Sequence, residues 1–137
     1  MERNNGGLGQ ISQTRVLIVD DCVEVRNGLR TLLKGSPCID VVGEAISGQE
    51  GVNKAGALQP DLVLMDNQML DLDGAEATRQ IKARWPHIKV LFLTVHSCDI
   101  ETALAAGADS HLIKDCTREE LLAGIKEVVG RKLGKCA

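Results

Sequence analysis

This sequence predicts an α/β fold, a parallel sheet covered by helices on both faces. Three observations carry that expectation. Short apolar runs alternate with stretches of helical periodicity five times along the 137 residues. Most of the runs end abruptly in polar residues: Val16 to Val19 in Asp20 and Asp21, Leu62 to Met65 in Asp66, Ile88 to Leu93 in Thr94, and His111 to Ile113 in Lys114. Four of the five helical stretches open with a cap residue and a Glu three positions later: Asp21–Glu24, Ser47–Glu50, Asp73–Glu76 and Thr117–Glu120.

Taken in order, residues 1–13 are polar and glycine-rich and read as a flexible leader; GGLGQ lacks the lysine and spacing of a phosphate-binding loop. Val16 to Val19 is a buried strand. Val23 to Leu33 places Val25, Leu29, Leu32 and Leu33 at helical spacing and stops at Lys34-Gly35. Asp40 to Ile46 is a weaker strand, and Gln49 to Leu58 a helix broken by its own glycines and ended by Pro60. Leu62 to Met65 is the central strand, followed by the loop NQMLDLDG and a helix from Ala75 to Trp85 that Pro86 closes. Ile88 to Leu93 is a strand, and Ile100 to Ala106 an alanine-rich helix stopped by Gly107. That helix follows Ser97, Cys98 and Asp99 without the cap pattern, so its start is the least firmly specified. A short strand, His111 to Ile113, and a helix from Glu119 to Val129 complete a domain over 14–130, with 131–137 as the start of a linker or tail.

Composition narrows the function classes. With 26% charged and 44% hydrophobic residues the chain is an ordinary globular domain able to bury a core. A net charge of -3 gives no reason to expect a direct grip on nucleic acid. No apolar run approaches the roughly 20 residues that span a bilayer, and the first ten residues lack the apolar core of a secretory signal. The expected setting is the cytoplasm, away from membranes. The five cysteines are odd in number, scattered and without a CxxC pair, which points to reduced and mostly buried thiols rather than a disulfide frame or a zinc site.

In a parallel sheet the carboxyl ends of the strands share one edge, where ligands bind. Asp20, Asp21, Asp66, Thr94 and Lys114 should therefore converge. Carboxylates at such range repel and raise one another's proton affinity unless a cation is present. An all-oxygen cluster suits a hard divalent cation, most simply Mg²⁺. Asp66 can then attack a phosphoryl donor while Lys114 and the metal screen the transferring charge, with the Thr94 hydroxyl placed to reach a phosphoryl oxygen. Singly, Asp21 reads as a helix cap and Thr94 or Lys114 as surface residues. Their joint placement at strand ends argues for the site.

The runs VLIVDD, PDLVLMD, LFLT and AGADSHLIKD, with the DG at Asp73–Gly74 and the spacing between them, resemble the receiver domain of response regulators, the phosphoacceptor half of two-component signalling pairs. The resemblance covers about Arg15 to Val129. It implies a flavodoxin-like, doubly wound five-stranded sheet in the order 2-1-3-4-5. It also implies phosphorylation of Asp66 by a sensor histidine kinase, and Mg²⁺ held by Asp20, Asp21, Asp66 and the backbone carbonyl of Gln68. Thr94 becomes the switch hydroxyl and Lys114 the phosphate-pairing lysine. VVGEAISGQEGV, EATRQIK and HLIKD are similar to the NarL-type subfamily, whose members usually carry a helix-turn-helix domain after the receiver; GRKLGKCA falls where that linker would start. Homodimerisation on phosphorylation, transcriptional control with DNA reached only through such a domain, and no enzymatic activity beyond self-phosphotransfer and slow self-dephosphorylation are the corresponding expectations.

The chain departs from the family pattern in places. Leu70 follows Met69 where proline is common, which should loosen the loop. No tyrosine is present, and His111 stands where the switch aromatic usually does; it reads as a ring of similar reach or as a pH-sensitive element of the switch. Gln68 and His96, two residues beyond Asp66 and Thr94, should flank the phosphoryl group and tune its lifetime. His96 as a metal ligand is disfavoured, because no second nitrogen or sulfur ligand is evident. Two rivals remain: a non-phosphorylated pseudo-receiver scaffold, and a Mg²⁺-dependent phosphatase of the haloacid-dehalogenase kind. The latter needs an aspartate two residues beyond the nucleophile, where Gln68 stands; Asp71-Leu72-Asp73 has the spacing but no apolar strand before it.

Overall fold

The computed structural model describes residues 13–67, 69, 71–95 and 100–130. Strands and helices alternate as β1 Thr14–Val19, α1 Val23–Lys34, β2 Ile39–Ala45, α2 Gly48–Leu58, β3 Leu62–Asp66, α3 Gly74–Arg84, β4 Lys89–Thr94, α4 Ile100–Ala105, β5 Ser110–Ile113 and α5 Arg118–Val129. All strand pairs are parallel, in the order β2-β1-β3-β4-β5. The expected architecture and strand order hold, with small shifts at element ends.

Side chains alternate across a strand, and that splits the core in two. Leu17, Val19, Val63, Met65, Val90 and Phe92 face α2, α3 and α4. Val16, Ile18, Leu62, Leu64, Leu91 and Leu93 face α1 and α5. β3 lies at the centre and every one of its residues is buried, which is why it reads as a continuous apolar run rather than an alternating one. Truncating a fully buried residue such as Leu64 to Ala costs about 2–5 kcal/mol.

Helix α2 corrects the expectation of a broken helix, for it runs unbroken. Its glycines serve packing: a Cβ on Gly51 would lie 2.9 Å from a Val19 methyl, and one on Gly56 would lie 2.7 Å from the Trp85 ring. The helix ends at Gln59, whose φ of 50° is left-handed, just before Pro60. Ser47, Asp73 and Thr117 each accept the N–H of the Glu three residues on, and the reciprocal box closes fully at Thr117–Glu120. Glu50 instead accepts the Ile46 N–H at 2.7 Å, and this bond holds its carboxyl below the usual range.

Asp21 does not cap α1. Cys22 holds the cap position and no side chain caps the helix. The expected weakness ahead of α4 falls on residues 96–99, which lie outside the described residues, as do 1–12 and 131–137. Cys22 and Cys116 are free thiols, whereas buried Cys38 is disulfide-bonded, against the expectation of reduced thiols. No helix among the described residues is long and apolar enough to cross a membrane.

Candidate functional site

Strand register builds the site. Val19 pairs with Met65, so Asp20 and Asp66 leave the sheet side by side at its carboxyl edge. Asp66 pairs with Leu93, and Thr94 with Ile113, which brings Thr94 and Lys114 to the same edge. The Lys114 N–H donates to the Thr94 carbonyl at 2.9 Å.

Carboxylate oxygens of Asp20, Asp21 and Asp66 lie within 4.8 Å of one another. Asp20 and Asp66 are 1% and 4% exposed, while Asp21 is open to solvent. Lys114 Nζ stands 2.7 Å from Asp66 Oδ1 and 2.9 Å from Asp20 Oδ2. Partial burial works against the ammonium, but its close pairing with the Asp66 and Asp20 carboxylates wins and holds the Lys114 pKa above the usual lysine value. Asp20 Oδ1 accepts the Cys22 N–H at 2.9 Å. Asp20 Oδ2 is buried and meets the ammonium without a well-aligned hydrogen bond.

This donor set fits a hard cation. Among the described residues it offers carboxylate oxygens, one of them buried and short of a hydrogen bond, and three acids face one ammonium. The cleft above has a volume of about 670 Å³ and is lined by these acids, Lys114, Cys22, Asp73, Val95 and Thr102 among others. That is room enough for a small anion beside a metal.

The loop after β3 is tied down at its far end. Asp71 accepts the N–H groups of Gly48 and Gln49 at 3.1 Å each, capping α2 from outside its own chain segment. Desolvation pushes the Asp71 carboxyl up, but the N–H groups of Gln49, Leu72 and Gly48 outweigh it and hold the carboxyl below its usual range. Gly48 is needed there, since a Cβ would fall 2.0 Å from the Leu72 carbonyl oxygen. Two residues further on Asp73 caps α3, and the Gly74 N–H reaches back to donate to the Asn67 carbonyl at 3.0 Å.

Asp20, Asp21, Asp66 and Lys114 thus meet in one cluster, and Thr94, 1% exposed, ends the neighbouring strand. His111 lies half-buried in mid-β5 opposite Phe92, outside the residues that line the cleft. Gln68, Leu70 and His96 lie outside the described residues. Sequence reasoning missed Cys22 and Thr102 as cleft residues, and it missed Asp71 and Arg26 as ties between elements, because such contacts join segments far apart in the chain.

Comparison with known proteins agrees with this geometry. Residues 16–126 match the response regulator receiver domain, and the chain belongs to that family. The response regulator protein VraR of Staphylococcus aureus is 44% identical over 115 residues, covering 82% of this chain and 55% of the relative. The chain therefore spans about half the length of the curated relatives it matches. Among solved structures, the signal receiver domain of a NarL response regulator from Mycobacterium tuberculosis matches with a TM-score of 0.82 and 30% identity over 86% of this chain and 97% of that one. A LuxR-family two-component response regulator from Aurantimonas matches with a TM-score of 0.81 and 32% identity over 86% of each chain. The protein is a receiver domain of a two-component response regulator, similar to those of the NarL and LuxR families.

Proposed function

We propose that Asp66 takes a phosphoryl group from the phosphohistidine of a sensor kinase, with Mg²⁺ held by Asp20, Asp21, Asp66 and the Gln68 carbonyl. The observation that supports this most is the acid cluster bridged by Lys114, with Nζ at 2.7 Å from Asp66 and 2.9 Å from Asp20. A carboxylate oxygen of Asp66 attacks phosphorus, the P–N bond breaks, and the donor imidazole leaves with its electron pair and takes up a proton. When bound, the metal screens charge on the phosphoryl oxygens. Lys114 is the fixed cation beside them, and Thr94 offers its hydroxyl once the phosphoryl group arrives.

The working unit spans 14–130. Phosphorylation shifts a population of states toward one in which Thr94 moves inward and α4 with β5 repacks, His111 with it, into a dimerisation or output surface. In a longer protein that surface would govern a helix-turn-helix domain. Gln68 and His96 set the lifetime of the phosphoryl group, and the chain turns over no other substrate.

Acetyl phosphate with Mg²⁺ should label the native chain with a hydroxylamine-labile phosphate and leave Asp66→Asn unlabelled. Beryllium fluoride should bind only with Mg²⁺ present. No Mg²⁺-dependent binding would leave the pseudo-receiver scaffold, and multiple turnover of a phosphomonoester would favour the phosphatase.

A further inference from the structure

Arg26, early in α1, lies outside the residues lining the cleft yet holds the backbone of one that does. Its Nη1 donates to the Asp20 carbonyl at 2.7 Å, and its Nε donates to Glu44 Oε1 on β2 at 3.0 Å. The side chain is only 12% exposed. Glu44 is itself held, by Arg30 at its other oxygen and by Lys54, whose Nζ donates to the Glu44 carbonyl at 2.5 Å. Asp20 is thereby fixed on three sides. Its N–H donates to the Ala45 carbonyl at 3.0 Å, its carbonyl takes Arg26, and its Oδ1 takes the Cys22 N–H at 2.9 Å. What is left to the acid cluster is Oδ2.

We propose that Arg26, locked by Glu44, is a positioning residue that aims the Asp20 carboxylate and so sets the affinity of the acid cluster for a divalent cation. The inference rests on the Mg²⁺ reading of that cluster. A small hard cation demands its oxygens in a near-fixed geometry, and a planar guanidinium bridging two acceptors imposes more order than a single ammonium can. Groups one step removed from a metal ligand shift metal affinity by about 10- to 100-fold.

Charge alone would act differently. Arg26 is a cation near three acids, so by charge its loss should tighten Mg²⁺ binding, and a neutral double substitution should leave binding near native. Mg²⁺ titration by calorimetry on the native chain, Arg26→Gln, Arg26→Lys and the Arg26→Gln/Glu44→Gln double separates the two, with circular dichroism checking each fold. The expected result is binding about tenfold weaker in Arg26→Gln, equally weak in the double, and intermediate in Arg26→Lys. Unchanged or tighter binding in Arg26→Gln overturns the proposal, and the double carries the same decision where the single variant does not fold.

A metal-free arm follows hydrogen exchange of the Cys22 amide, which should speed up in both Arg26→Gln and Glu44→Gln; an unchanged rate also overturns the proposal. Failure of the native chain to bind Mg²⁺ would sink the reading of the cluster, while the exchange arm would still decide whether Arg26 holds Asp20.

Discussion

Gly74 lies so close to Asp66 that a Cβ there would fall 2.0 Å from the Asp66 carbonyl oxygen. The obstructing atom is backbone, so relief requires the start of α3 or the end of β3 to move. Gly74→Ala is expected to cost more than about 2 kcal/mol in a urea melt, within the range of overpacking penalties, and to slow labelling by acetyl phosphate because Asp66 shifts with its carbonyl.

Gly28 in α1 is the opposite case, with nothing within 4 Å of its would-be Cβ. Here only helix propensity is at stake. Gly28→Ala should stabilise the fold by about 0.5–1 kcal/mol, and the same melt checks it.

Lys114 carries a worked sign. Its pKa is raised in the fold, so its contribution to stability is fully present below the ordinary lysine value of about 10.4 and fades as pH climbs through the higher folded value. At neutral pH, Lys114→Ala leaves Asp20 and Asp66 facing each other and should cost about 1–3 kcal/mol, discounted for the partial exposure of the ammonium. With the competing cation gone, Mg²⁺ should raise the melting temperature of the variant more than that of the native chain. Equal increments would show that ammonium and metal do not contend for the same oxygens.

Asp71 titrates the other way. Its carboxyl is held below the usual range by the α2 N–H groups, so its contribution is present above the ordinary carboxylate pKa of about 3.9 and is lost as pH falls through the lower folded value. Asp71→Ala should melt below the native chain at pH 7 and approach it at the acid limit of folding. A gap that persists in acid would mean the loss is steric rather than electrostatic.

Much of this was legible beforehand, for reasons visible in particular residues. β3 is central, so Leu62 to Met65 are continuously apolar, and Asp66 stands out as the polar residue that ends the run. Register then follows from topology, and Asp20, Thr94 and Lys114 come to the same edge. The misreadings share one cause. Gly51 and Gly56 look like helix breakers until Val19 and Trp85 are seen resting on them. Asp21 matches a capping pattern, but its carboxylate joins Asp20 and Asp66 instead. Arg26 carries no local mark at all, since its partners Asp20 and Glu44 belong to other elements.

Gly56→Ala tests the seam between α2 and α3. A Cβ there would press within 2.7 Å of the Trp85 ring, so the half-buried indole should swing outward and its emission move to longer wavelength. An unshifted spectrum would mean that α2 has yielded instead.

Trp85 is the lone tryptophan of a chain without tyrosine, and it sits at the end of α3 remote from Asp66, about 16 Å along the helix axis from Gly74. Its ultraviolet glow is a lamp hung at the wrong end of the house. A magnesium titration followed by intrinsic fluorescence should stay nearly flat even as ions load, so the informative dye is one attached at the mouth of the acidic cleft, where Val95 already faces the solvent.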